Sequence, residues 1–160
     1  MGVAGCGKTS VGEAIARLTS STYVDGDALH PTYNIEKMSR GEALCDVDRW
    51  PWLAAVGKVL ATRQGVTFVG CSSLKRAYRD RIRKEAGAPV SFVYLAGTRE
   101  LIASRMAARS GHFMPLTLLD TQFATLERPG LDELAVTVDI DRPLSEIVAA
   151  IVMALKERTA

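Results

Sequence analysis

The chain opens on Gly2-Val3-Ala4-Gly5-Cys6-Gly7-Lys8-Thr9, a G-x-x-x-x-G-K-[ST] run that strongly limits what can surround it. Small residues at this spacing let successive backbone N–H groups curl around phosphate oxygens, a shape found where a buried strand turns into a helix. Lys8 would reach the outer phosphates of a nucleotide, the Thr9 hydroxyl would hold Mg²⁺, and Ser10 would complete the phosphate-binding stretch. With Gly at roughly 7% of residues, such a match arises by chance in well under about 1% of chains this long. That makes a plain glycine-rich turn the weaker reading. Only Met1 precedes the loop, so the strand expected to lead into it reads as truncated.

The remaining sequence suits one domain over residues 1–160, large enough for a real core. Strand-like runs alternate with helical periodicity. Helices are predicted over 7–19, 29–38 (interrupted by Pro31), about 51–65, 73–86, 99–109, up to about 126, and 143–158. Pro51 is expected within the first turn of its helix, where a missing N–H costs nothing. Short apolar runs at 22–24, 66–71, 90–95 and 135–140 read as strands buried on both faces. The pattern is α/β: a three-layer, doubly wound parallel sheet with helices on both faces. In such a sheet, ligands gather at the carboxyl ends of the strands.

Composition narrows the partners. A formal net charge of +2 gives no case for nucleic acid, and the basic helix after Cys71 spreads its cations around its circumference without exposed aromatics between them. Cys6, Cys45 and Cys71 are odd in number and widely spaced, which fits reduced thiols in a cytoplasmic protein rather than disulfides or a zinc site. No uncharged run reaches the roughly 18 residues of a membrane span.

Chemistry is expected just after the strands. The strand ending at Cys71 lacks the carboxylate that NTP-hydrolysing switches place there, whereas Asp25-Gly26-Asp27 follows the strand after the first helix. One of these carboxylates suits Mg²⁺ and the other a substrate hydroxyl; the competing reading is an Asx turn capping the next helix. Lys75 and Arg79, four apart, would share a helix face and suit an anionic substrate. Arg105 and Arg109 lie before Gly111-His112-Phe113-Met114-Pro115, as arginines on a lid over about 105–122 would. His30 and His112 have no partners at metal-ligand spacing.

Together these motifs resemble the gluconate kinase family of small, shikimate-kinase-like P-loop kinases. The likeness runs through Gly2 to Thr9, Asp25-Gly26-Asp27 with Leu29-His30-Pro31, Asn34, Lys37-Met38, and Asp46 to Leu53 as D-x-D-R-x-P-W-L. It continues in Cys71 to Lys75, Tyr78-Arg79-Asp80, Gly111 to Pro115, Gln122-Phe123, Thr125 to Glu127 and Val138 to Asp141. The resemblance implies ATP and Mg²⁺ as cofactors, D-gluconate as substrate and its 6-hydroxyl as phosphoryl acceptor. It implies Asp27, His30, Arg49, Lys75 and Arg79 around the sugar acid, within a substrate segment of about 26–65 and the start of the basic helix. It implies Arg105 and Pro143 beside the adenine, Lys8, Asp27 and Arg109 in catalysis, and Thr9 and Asp25 at the metal. Similar kinases are often homodimers.

Cys6 stands where the family commonly carries serine, and a thiol beside Lys8 leads us to expect oxidation-sensitive activity. The rival readings are a kinase for shikimate or a related sugar acid, and a catalytically silent nucleotide-binding module.

Overall fold

A computed structural model describes residues 1–108 and 116–158. In chain order the elements are α1 (Lys8–Thr19), β1 (Thr22–Asp25), a 3-10 turn (Gly26–Leu29), α2 (Thr32–Ser39), α3 (Asp46–Thr62), β2 (Thr67–Gly70), α4 (Arg76–Ala86), β3 (Phe92–Ala96), α5 (Arg99–Ala107), α6 (Leu116–Thr125), β4 (Ala135–Asp139) and α7 (Leu144–Glu157). Their ends follow local chemistry. The Thr98 hydroxyl accepts from Leu101 N–H at the start of α5, Gly87 turns left-handed at φ 61° after α4, and Pro31 and Pro143 precede α2 and α7.

The strands form two parallel pairs. β1 lies beside β2, from Thr22 opposite Thr67 to Asp25 opposite Gly70, and β3 lies beside β4, from Phe92 opposite Ala135 to Ala96 opposite Asp139. Where a further strand was expected before the phosphate loop, Met1 and Gly2 bridge the two pairs. The Met1 amine donates to the Val93 carbonyl, Leu95 N–H donates to the Met1 carbonyl, and Gly2 N–H donates to the Ser72 carbonyl. An apolar cavity of about 580 Å³ lies between the pairs, with Phe68, Val69, Phe92, Val93, Val11 and Ile15 among its walls.

Two cores cover the two faces. Val11, Ile15, Leu95, Ile102, Val138, Ile147 and Ile151 bury α1, α5 and α7 on one side, while Trp52, Leu53, Val56, Tyr78, Ile82 and Phe92 bury α3 and α4 on the other. This is the three-layer arrangement that the alternating pattern predicts. Among the described residues, no helix is long and apolar enough to cross a membrane.

Two element boundaries differ from expectation, and both shape the site. α3 begins at Asp46, so Pro51 lies inside it rather than in its first turn. A capping box starts the helix early, with Cys45 N–H donating to the Asp48 carboxylate at 2.8 Å, and the burial of Trp52, Leu53 and Val56 offsets the bond lost at Pro51. α4 begins at Arg76 rather than near Ser73. Ser73 sits at φ 46° and Lys75 is extended at φ −93°, ψ 151°, so Lys75 is the residue before the helix and shares no helix face with Arg79.

Candidate functional site

The phosphate loop has the backbone that its sequence demands. Gly2, Gly5 and Gly7 stand at φ 142°, 80° and 98°, and Gly7 leads into α1 with no side chain capping that helix. The first N–H groups of α1 therefore remain for an anion, and no acidic side chain occupies the first turn. Lys8 Nζ rests on the loop, donating to the carbonyls of Gly2 at 3.2 Å and Val3 at 3.1 Å. A charged amine held over the cradle is ready to move onto phosphate oxygens. Gly5 also packs on α5: a Cβ there would lie 2.6 Å from Met106 Cγ and 3.1 Å from Ile102 Cγ2. Gly5→Ala is therefore expected to cost about 1–3 kcal/mol through φ strain and crowding, and to weaken nucleotide binding. Thermal melts with and without ATP check this.

Ala4 N–H donates to Gln122 Oε1 of α6 at 2.7 Å, which ties α6 to the loop. Sequence reasoning noted Gln122 within the family pattern and gave it no role. Cys6 does not face the ligand side. Its side chain is buried, 1% exposed, in the core that also holds Val3, Val11 and Leu95, and a Cβ on Gly2 would lie 2.9 Å from its sulfur. A thiol so buried is a poor target for oxidants, so the expected redox sensitivity has no structural basis.

At the end of β1 an Asx turn forms and leaves both of its carboxylates exposed. Asp25 Oδ1 accepts from Asp27 N–H at 3.0 Å, both residues remain exposed, and Trp52 Nε1–H pins the turn by donating to the Gly26 carbonyl at 2.7 Å. Gly26 is required here, since a Cβ would lie 2.3 Å from the Gly70 carbonyl oxygen. The neighbouring strand thus fixes where Asp27 sits. Among the described residues no group of three or more His, Cys, Asp or Glu could hold a metal alone. Asp25 with the exposed Thr9 hydroxyl offers the one or two hard oxygens that Mg²⁺ takes when phosphates and water complete its shell.

Beyond Asp27 lies a cluster of polar side chains from His30, α2, α3 and the start of α4. His30 stacks on Trp52, with centroids 4.1 Å apart and planes 15° from parallel. Burial pushes the His30 pKa below its usual value against the pull of Asp27, so the imidazole is neutral at pH 7. The fully buried Asn34 donates to His30 Nδ1 at 3.1 Å and to the Asp48 carbonyl at 2.9 Å, while its Oδ1 has no hydrogen-bond partner. With Nδ1 accepting, His30 Nε2–H is the free donor. Lys75 Nζ donates to both oxygens of Asp46, at 2.9 and 2.8 Å, and the Tyr78 hydroxyl donates to Asp46 Oδ1 at 2.5 Å. Arg49 lies 4.0 Å from the same carboxylate, and both cations approach the Tyr78 ring, at 5.8 Å for Arg49 and 5.4 Å for Lys75. The structure thus gathers Asp27, His30, Arg49 and Lys75 into one region, and it adds Asn34, Asp46 and Tyr78.

Arg79 is placed elsewhere. It is 0% exposed, with Nε and Nη2 on Glu133 at 2.6 and 2.7 Å and Nη1 on the carbonyls of Ser73, Leu74 and Glu127. All three of its nitrogens are engaged inside the protein and none is exposed, so direct substrate contact by Arg79 does not fit this arrangement. Its i−4 spacing from Lys75 was misleading because Lys75 lies outside the helix.

Arg105 Nη2 donates to the Ile140 carbonyl at 2.6 Å, which brings it to the loop that ends at Pro143. Arg109 and the Gly111 to Pro115 lid segment fall outside the described residues.

The fold and sequence have counterparts among known proteins. A shikimate kinase family model matches residues 4–156. The thermoresistant gluconokinase of Escherichia coli is 45% identical over 161 residues, covering 98% of this chain and 91% of that protein. The thermosensitive gluconokinase of the same organism is 47% identical over 152 residues, covering 92% and 80%. The crystal structure of a gluconokinase from Sinorhizobium meliloti superposes with a TM-score of 0.87 at 48% identity, covering 100% of this chain and 95% of that one.

Proposed function

The chain belongs to the gluconokinases, within the shikimate-kinase-like P-loop kinases, and from that premise we propose how its residues divide the phosphorylation of gluconate. The protein is an ATP-dependent kinase that transfers a phosphoryl group to D-gluconate, with the 6-hydroxyl as acceptor. The observation that carries the residue assignment is the clustering of these side chains. A carboxylate at Asp27 and a neutral imidazole at His30 stand near the cations Lys75 and Arg49.

The nucleotide phosphates lie on the loop of residues 2–10 and the uncapped N–H groups at the start of α1, with Lys8 leaving its carbonyls for their outer oxygens. Arg105 and Pro143 border the adenine. Mg²⁺, held by Thr9 and Asp25, would supply charge neutralisation on the phosphates. Lys75 and Arg49 take the sugar-acid carboxylate, and His30 Nε2–H meets a hydroxyl. Asp27 orients the acceptor hydroxyl and takes its proton, while Lys8 and Arg109 offset charge as the phosphoryl group moves. Because that transfer is largely dissociative, orientation and charge placement matter more than base strength.

A coupled ADP-release assay over a panel of sugar acids and shikimate tests the reading. Turnover with gluconate and not with the others is the expected result; ATP binding without turnover of any acid would leave a silent nucleotide-binding module. Lys75→Ala should raise KM for gluconate by about 10–100-fold with little change in KM for ATP, as loss of a charge-assisted contact does. An unchanged KM for gluconate would remove Lys75 from the carboxylate site.

A further inference from the structure

The cationic cluster at the start of α3 is already filled by a carboxylate of the protein itself. Two Lys75 donors and the Tyr78 hydroxyl point at Asp46, and Arg49 lies 4.0 Å away. Asp46 is also the first residue of α3, at the positive end of that helix. Lys75 and the Tyr78 hydroxyl thus face a carboxylate already, while Arg49 beside them donates to the Leu44 carbonyl at 2.5 Å. The pair is not sealed away: the Lys75 side chain is 31% exposed and that of Asp46 is 45%.

Resting on the reading of these residues as a sugar-acid site, we propose that Asp46 is an internal competitor for the subsite of the substrate carboxylate. It is a tethered carboxylate that keeps the Lys75, Arg49 and Tyr78 cluster closed to small free anions and yields it only to an acid held at other points as well. A tethered group competes at an effective concentration of about millimolar or more. Sulfate or inorganic phosphate has only the cluster to bind and cannot displace it. A polyhydroxy acid also gains contacts at Asp27 and His30, and these offset the loss of the internal pair.

The test is sulfate competition against gluconate at saturating ATP, so that the phosphate loop is occupied. Asp46→Asn should lower the sulfate inhibition constant by about tenfold, the scale of one removed unit charge at a partly exposed site, and should lower KM for gluconate with it, since the acid no longer has an internal pair to displace. A merely structural Asp46 gives the opposite pattern, with KM for gluconate raised and sulfate inhibition unchanged, and that result overturns the proposal. Asp46→Ser repeats the measurement if the asparagine variant does not fold. Failure of the wild-type chain to turn over gluconate would refute the sugar-acid reading instead. The sulfate-induced thermal shift, measured with a non-hydrolysable ATP analogue bound, still decides the role of Asp46 in that case: a larger shift in the variant supports it, and equal shifts refute it.

Discussion

Asp27→Asn should lower kcat by at least about a hundredfold, within the range typical of removing a positioned general base, while KM for ATP changes by less than about threefold. The asymmetry follows from where Asp27 sits. It stands on a turn fixed by the Asp25 side chain, by the Trp52 indole on the Gly26 carbonyl and by the close approach of Gly26 to Gly70. None of those contacts involves the phosphate loop. Asparagine keeps the size and can still accept a hydrogen bond, but it cannot take a proton, so gluconate binding should survive better than turnover. Steady-state kinetics with both substrates varied separates the two. A near-normal kcat in this variant would exclude Asp27 from the transfer step.

The largest effect on stability is expected at Glu133. Its carboxylate and the Arg79 guanidinium face each other in full burial, and the same carboxylate accepts from Gly130 N–H at 3.1 Å and lies 3.3 Å from Arg83 Nη1. Glu133→Ala leaves a buried, uncompensated cation and should cost about 3–5 kcal/mol. For a chain of this size that corresponds to a fall in Tm of roughly 10 °C. Replacing both partners, as Arg79→Met with Glu133→Leu, should restore most of the loss, because the apolar pair carries no desolvation penalty. An alanine variant within about 1 kcal/mol of wild type would contradict this account.

The pH dependence has a definite sign. Arg79 holds the Glu133 carboxyl down at about 2, below its ordinary value of 4.5. The folded state therefore favours the ionised form, and the pair stabilises fully above about pH 4.5. That contribution is lost as pH falls from there through about 2. The stability difference between wild type and Glu133→Gln, followed by melts across this range, should shrink as the pH drops.

Arg79 also shows where reading the chain reached its limit. Its position just after the Cys71 strand, four residues from Lys75, carries the signature of a second substrate cation. What removes it from the pocket is Glu133, which lies more than fifty residues away in sequence. Ser73 at positive φ and the extended Lys75 then delay the helix, so that one cation turns outward and the other inward. Neither the partner nor the delay has a local signal. Asp46 is similar: it read as part of a family pattern, and only the fold brings Lys75 and Tyr78 onto it from α4.

By contrast, the phosphate loop, the Asp25-Gly26-Asp27 turn and the alternating α/β order were all legible in the chain. Each is a short-range matter of backbone freedom, turn chemistry or hydrophobic period, and each needs only neighbours in sequence. Tertiary structure decided which charges remain available to a ligand. A cation's role depends on whether a carboxylate from a distant segment reaches it first, and the packing of α3, α4 and the segment before β4 settles that competition.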